Sequence, residues 1–210
     1  MTRLTQKSQT YITVNEVDYD INTSYKSALL TWDVFEAAQT GEISPISAAI
    51  IAIDNMLIAD VTDLRINDKN FVDPMLQAIA EYLRKYSKVS DKDKKDSKPP
   101  LLDLNHDAIM IYDAFSSMGI DLDEQDITYA RFMSLLRELP KDAQICRIVY
   151  LRQQHLKGKL TKEERAECER RGWEVINIKN RKSVRDKTDN KEHFKELRNK
   201  RRVAKGLPPV

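Results

Sequence analysis

The sequence predicts a mainly α protein: a helical domain with a small N-terminal β-hairpin and a basic, partly helical C-terminal tail. Three observations predict it. Apolar residues recur at helical spacing (i, i+3, i+4, i+7) in segment after segment. One early stretch, "YITVNEVDYDI", alternates loosely instead. Five glycines and seven prolines among 210 residues are too few for a turn-rich sandwich or barrel.

The alternating stretch, residues 11–21, reads as a short hairpin with Asn15 and Glu16 at its turn. A lone hairpin is marginal in water, so it must lie on something apolar. Asn22, Thr23 or Ser24 then caps a helix that runs to Ala38. Its stripe is Tyr25, Ala28, Leu29, Trp32 and Phe35, and Thr40-Gly41 ends it. Ser44-Pro45 opens the next helix, with proline where its missing N–H costs nothing. Its stripe is Ile46, Ala49, Ile50, Ile53 and Leu57. A third helix is expected to start at Asp73-Pro74, with Met75, Ala78, Ile79, Tyr82, Leu83 and Tyr86 inward.

"SKVSDKDKKDSKPP" follows, with one apolar residue, alternating charges and two prolines, a solvated linker. Beyond it Ala108, Ile111, Tyr112, Phe115 and Met118 mark a helix that Gly119 stops. Asp126 is the expected cap of the next helix, lined by Phe132, Leu135, Leu136 and Leu139. Asp142 is the expected cap of the one after Pro140, with Ile145, Ile148 and Val149 inward. Residues 161–171 and 188–204 look helical but carry few apolar anchors. The organisation is therefore 1–86, hairpin plus helices; 87–100, charged linker; 101–172, a second helical region; and 173–210, a basic tail. Residues 1–172 read as one domain interrupted by the linker. At roughly 1.5–3 kcal/mol per buried large apolar side chain, these stripes hold a domain without metal or disulfide.

Composition narrows the function classes. No apolar run approaches the roughly 20 residues of a membrane span. The start "MTRLTQKSQTYITV" lacks the apolar core of a signal peptide. Cys146 and Cys168 form no CxxC and imply a reduced, cytosolic protein. Charge is divided. Residues 141–210 hold 21 Lys and Arg against 10 Asp and Glu, a net +11, and the rest is −9. An acidic body with a basic tail points to electrostatic partner binding by the tail. The partner can be nucleic acid, an acidic protein surface or another copy of this chain.

No P-loop, GxGxxG, HExxH or GxSxG occurs, so an enzyme is the least expected class and no cofactor is implied. "DLNHD" sets Asp103, His106 and Asp107 together. A metal site is one reading, and the stronger one is a helix start capped by Asp103 or Asn105. "DLDEQDITYARF" has acids at alternating positions but lacks the glycine and the final glutamate of a calcium loop. Cys146 lies beside Arg147, which could lower its pKa, but it reads better as a small apolar filler. Trp32 belongs to a core stripe. Trp173 either anchors an extended segment or meets a partner. From Asn180 on the tail has Phe194 as its one aromatic, which is no stacking platform for a single strand, and Glu192 and Glu196 interrupt its positive face. It reads as a solvated tail, a protein ligand or a nucleic-acid ligand, with protein favoured over nucleic acid.

The stretch "IYDAFSSMGIDLDEQDITYARFMSLLRELPKDAQICRIVYLR" resembles the signature region of the bacteriophage gp-fifteen family, small tail-region proteins of siphophages and prophages of Gram-positive bacteria. The matching residues are Ile111-Tyr112 with Ala114-Phe115, Gly119 to Leu122, Tyr129 with Phe132, Leu139-Pro140, and Arg152. "VNEVDYDINTSYKSALLTWDVFEA" is similar to the family's start. The family often has tryptophan where Tyr129 stands, and both the 87–100 insert and the long tail depart from it.

The resemblance implies a gene beside the tape-measure gene and a non-enzymatic tail assembly chaperone. Such a protein binds the tape-measure protein and tail-tube subunits in the host bacterial cytoplasm and is absent from the mature virion. Self-association is compatible with it; membrane attachment is not expected. The residues expected at the partner contact are Arg147, Arg152, Lys195, Arg198, Arg201 and Arg202. The rival expectations are a minor structural component of the virion, or a nucleic-acid-binding protein that uses its basic tail. The helices on either side of Leu139-Pro140 favour the first class: the second begins Asp142-Ala143-Gln144 and is mainly apolar, unlike a base-reading helix.

Overall fold

The computed structural model describes residues 9–58, 68–87, 101–104, 107–171 and 173. In chain order its elements are β1 (Tyr11–Val14), β2 (Val17–Asp20), α1 (Tyr25–Gln39), α2 (Pro45–Met56), α3 (Lys69–Ser87), α4 (Ala108–Ser117), α5 (Tyr129–Arg137), α6 (Gln144–Leu156) and α7 (Lys162–Arg171). The protein is mainly helical with one N-terminal antiparallel hairpin, as the sequence predicts. The helix expected over 188–204 lies outside the described residues, as does the tail beyond Trp173. The described residues form two compact units. The first holds 9–58, 68–87 and 128–133, and the second 101–104, 107–127, 134–171 and 173.

In the first unit the strands pair Ile12 with Tyr19 and Val14 with Val17. Asn15 (φ 50°) and Glu16 (φ 66°) make the tight turn in the left-handed region, which asparagine tolerates and which matches the strand twist. Ile12 and Val14 are buried, and β1 packs on α3. Gln9 closes the strand end: its Nε2 donates to the Tyr11 carbonyl at 2.7 Å, and Lys85 Nζ donates to its Oε1 at 2.8 Å.

Helix α3 begins at Lys69, four residues before the expected Asp73-Pro74. Asp68 caps it, accepting the Asn70 N–H at 3.0 Å. Pro74 lies inside the helix and cannot donate to the Asn70 carbonyl four residues back. Asn15 Nδ2, on the hairpin turn, donates to that carbonyl at 3.1 Å. The proline is tolerated because the acceptor it frees finds another donor. Asn15→Gly keeps the turn but removes the donor, and should lower unit stability by about 1 kcal/mol. Asn15→Ala should cost about 1–2 kcal/mol more, since alanine is strained at positive φ. Chemical denaturation midpoints of the two variants check the order.

On α1 the buried line is Tyr25, Ala28, Thr31, Val34 and Ala37. The expected Leu29, Trp32 and Phe35 are half-buried beside it. Ser44 Oγ accepts the Ser47 N–H at 3.0 Å at the start of α2, with Pro45 in the first turn as expected. The buried face of α2 is Ala48, Ala49, Ala52, Ile53 and Met56, whereas Ile46, expected inside, is 68% exposed. Val34 and Ala37 meet Ala48 and Ala52 there, and small side chains at a helix contact allow a short interaxial distance. Residues 128–133 close this unit. The Tyr129 N–H donates to the Thr23 carbonyl at 2.7 Å, and Trp32 Nε1 donates to the Tyr129 hydroxyl at 3.1 Å. Phe132 stacks on Tyr25, with ring centroids 4.7 Å apart and planes 12° apart.

In the second unit Ile111, Ala114 and Phe115 form the buried face of α4. Gly119 (φ 75°) ends it: the Ile120 N–H reaches back to the Phe115 carbonyl at 3.0 Å and the Gly119 N–H to that of Ser116 at 2.9 Å. The acidic loop folds on Asp121, whose carboxylate accepts the N–H groups of Asp123 and Glu124. Helix α5 is capped by Thr128, whose hydroxyl accepts the Arg131 N–H at 3.3 Å, and not by Asp126. Helix α6 is preceded by Ala143 rather than Asp142, because a turn from the Pro140 carbonyl to the Ala143 N–H takes up the intervening residues. Thr161 and Glu164 form a reciprocal capping box at α7 (3.0 and 3.2 Å).

Candidate functional site

Six basic residues are the sequence's candidates for a partner contact. Four of them, Lys195, Arg198, Arg201 and Arg202, lie outside the described residues. The other two, Arg147 and Arg152, lie on α6 and have opposite environments.

Arg147 is at the surface, its side chain 41% exposed. Its Nη2 meets Glu167 Oε2 at 2.9 Å and its Nη1 meets Glu164 Oε1 at 3.8 Å, both on α7. Arg171 continues the row, with Nε 3.7 Å from Glu167 Oε1. Two aromatics flank it. The Arg147 guanidinium lies 5.3 Å from the Tyr150 ring centre and that of Arg171 4.9 Å from Trp173. The hydrogen bond from Arg147 holds the Glu167 carboxyl below the usual range, with the charges of Arg147, Arg171 and Arg170 adding to it. The highly charged α7 thus docks through ion pairs above and a small apolar cluster below, Cys168 and Leu151 with Leu160 and Trp173.

Arg152 is not a surface residue. It is 1% exposed, and its guanidinium grips the Asp107 carboxylate with both terminal nitrogens, at 2.6 and 2.8 Å. Asp107 is fully buried. Arg152 Nη1 also donates to the Leu101 carbonyl at 2.9 Å, and the Asp103 N–H donates to Asp107 Oδ2 at 3.0 Å. The expectation that Arg152 contacts a partner is corrected by this burial. Sequence reasoning missed the pair, although a signal was present: position 152 follows 145 and 148 by seven and four residues, on the same helix face.

The pair also bears on "DLNHD". Asp107 itself precedes α4 in the capping position, in place of the expected Asp103 or Asn105, and its carboxylate is engaged by Arg152. His106 lies outside the described residues. Among the described residues no group of three or more His, Cys, Asp or Glu could hold a metal ion. The Cys146 thiol is pushed up by burial and by Asp142, so Arg147 does not activate it. Burial raises that of Cys168 as well. Both cysteines are free, Cys146 half-buried and Cys168 buried. In the folded protein a disulfide reagent at neutral pH should therefore modify Cys146 slowly and Cys168 only on unfolding, as counted by mass spectrometry.

Apolar side chains also reach the surface. In the second unit Ile109 is 78% and Tyr112 39% exposed, one helical turn apart on α4, opposite its buried face. The Tyr112 hydroxyl is tethered to Asp123 at 2.8 Å.

The family model for the Bacteriophage Gp15 protein matches residues 6–172. The chain belongs to that family. No curated protein and no solved structure matches it. In this Gp15 protein the residues that carry the family resemblance are mostly interior: Ile111, Ala114, Phe115, Leu122, Tyr129, Phe132 and Arg152 are all buried. Tyr112, Gly119 and Asp121 are the exposed members of the set. The Gp15 signature is thus chiefly a packing pattern, and Tyr112 is its exposed aromatic. No helix among the described residues is long and apolar enough to cross a membrane.

Proposed function

We propose that this phage-associated Gp15 protein is a non-enzymatic tail assembly chaperone that binds the tape-measure protein and helps tail-tube subunits assemble on it. Family membership carries this reading, because the Gp15 resemblance implies a place beside the tape-measure gene. A tape measure presents long apolar helical surface before the tube covers it, and a helical partner shields such surface by helix-in-groove docking. Ile109 and Tyr112, standing out from a helix whose other face is core, are side chains suited to that contact. Lys195, Arg198, Arg201 and Arg202 add a basic segment for acidic stretches of the partner. The protein acts in the host cytoplasm and leaves before the virion is complete.

Co-expression tests it. The soluble fraction of the tape-measure protein should rise when this protein is present and fall back with an Ile109→Asp, Tyr112→Asp double variant. Equal tape-measure solubility with and without the protein overturns the reading. Mass spectrometry of purified particles should find no copy, and recovery at stoichiometric level would make it a structural component instead.

A further inference from the structure

The stretch from Asp107 to Ala130 contains no Lys or Arg. It builds α4 and the acidic loop, and it sets carboxylates around two apolar side chains. Ile109 and Tyr112 stand out from α4, 78% and 39% exposed. Asp113 is exposed beside Tyr112. The Tyr112 hydroxyl donates to Asp123 at 2.8 Å, which draws the loop to the same place. The Asp121 carboxylate keeps the exposed Asp123 and Glu124 beside it by accepting their N–H groups. An apolar pair rimmed by four carboxylates fits a partner with the reverse pattern, apolar with a basic rim.

The chain holds such a pattern itself. Residues 191–205 carry seven Lys and Arg against two Glu, and Phe194 and Leu197 recur at i, i+3 as Ile109 and Tyr112 do. At the roughly 100° per residue of a helix, Arg198, Arg201 and Lys205 fall on the side of Phe194 and Leu197, and Glu192 and Glu196 fall opposite. The segment lies outside the described residues, beyond Trp173, which belongs to the same unit as the face. The chain from Trp173 to Lys191 spans up to about 60 Å, so reach sets no limit. Each exposed ion pair is weak. Several of them around an apolar contact, at the effective concentration on the order of millimolar that a tether confers, make a docking that salt loosens.

We propose that residues 191–205 dock on the Ile109–Tyr112 face of their own chain, their basic side chains against Asp113, Asp121, Asp123 and Glu124, and cover it until a partner takes their place. The docking is a property of this chain alone; its role as a cover rests on the tape-measure reading. The segment lies past residues 6–172, which the family model matches, so it is an addition to the family pattern.

Carbodiimide cross-linking of the full chain, without any tape-measure protein, tests this in an equal mixture of unlabelled and nitrogen-15-labelled copies. Amide links should join Lys191, Lys195, Lys200 or Lys205 to Asp113, Asp121, Asp123 or Glu124, chiefly within one isotopic species. Their yield should fall at least about threefold between roughly 0.05 and 0.5 M salt. An Ile109→Ser, Tyr112→Ser double variant, which removes the apolar pair and leaves every carboxylate, should lower it by a similar factor with the helical circular dichroism unchanged. Links chiefly to other carboxylates such as Glu36 or Glu42, links only between isotopic species, or a yield indifferent to the double variant would each overturn the docking. Any of those results leaves the chaperone reading to the co-expression experiment.

Discussion

Phe132→Ala is expected to lower the stability of the first unit by about 3–5 kcal/mol, the range for deleting a fully buried aromatic ring. Phe132 is 2% exposed and stacked on Tyr25, itself 5% exposed, so the ring's removal strips one face of a second aromatic. The neighbours cannot easily collapse into the space. Tyr129 is tied through its hydroxyl to Trp32 and through its N–H to Thr23. Urea unfolding followed by far-ultraviolet circular dichroism gives the midpoint shift. A loss under about 1 kcal/mol would mean that residues 128–133 do not close the unit as described.

Ala52→Phe is the second large effect, with an expected cost of about 1–3 kcal/mol from overpacking. Ala52 is fully buried in the cluster of Val34, Ala37, Ile43 and Ala48, where α1 and α2 meet through small side chains. A phenyl ring there forces the helices apart. Ile46→Ala on the same helix deletes most of a large apolar side chain yet should change stability by no more than about 0.5 kcal/mol, since Ile46 is 68% exposed. The reverse ranking, Ile46→Ala costlier than Ala52→Phe, would place α2 in the register that its large residues suggest.

That contrast shows why part of the fold was legible in the sequence and part was not. Elements with local causes are as expected: the Asn15-Glu16 turn, the Ser44-Pro45 helix start and the Gly119 stop each depend on one or two residues. The facing of α2 is only partly so: Ala49, Ile53 and Leu57 are buried as expected, while Ile50 is half-buried and Ile46 is exposed. Its alanines and isoleucines leave apolar atoms on several sides, and the choice among them depends on the shape of α1. The early start of α3 was hidden because Pro74 is admitted by a donor on the hairpin, Asn15, 55 residues before the Asn70 whose carbonyl it serves. The candidate site divides the same way. Arginine is seldom buried, so Arg152 read as surface, and its partner lies 45 residues earlier. Arg147 read as surface and is there, but held by two glutamates of α7.

The closure of the first unit by residues 128–133 has a consequence for synthesis. The hydroxyl that accepts the Trp32 indole N–H belongs to a residue 97 positions later. At about 5–20 residues per second, a ribosome needs about 5–20 s to supply it. Through that interval Tyr25 lacks the Phe132 ring that stacks on it in the finished chain.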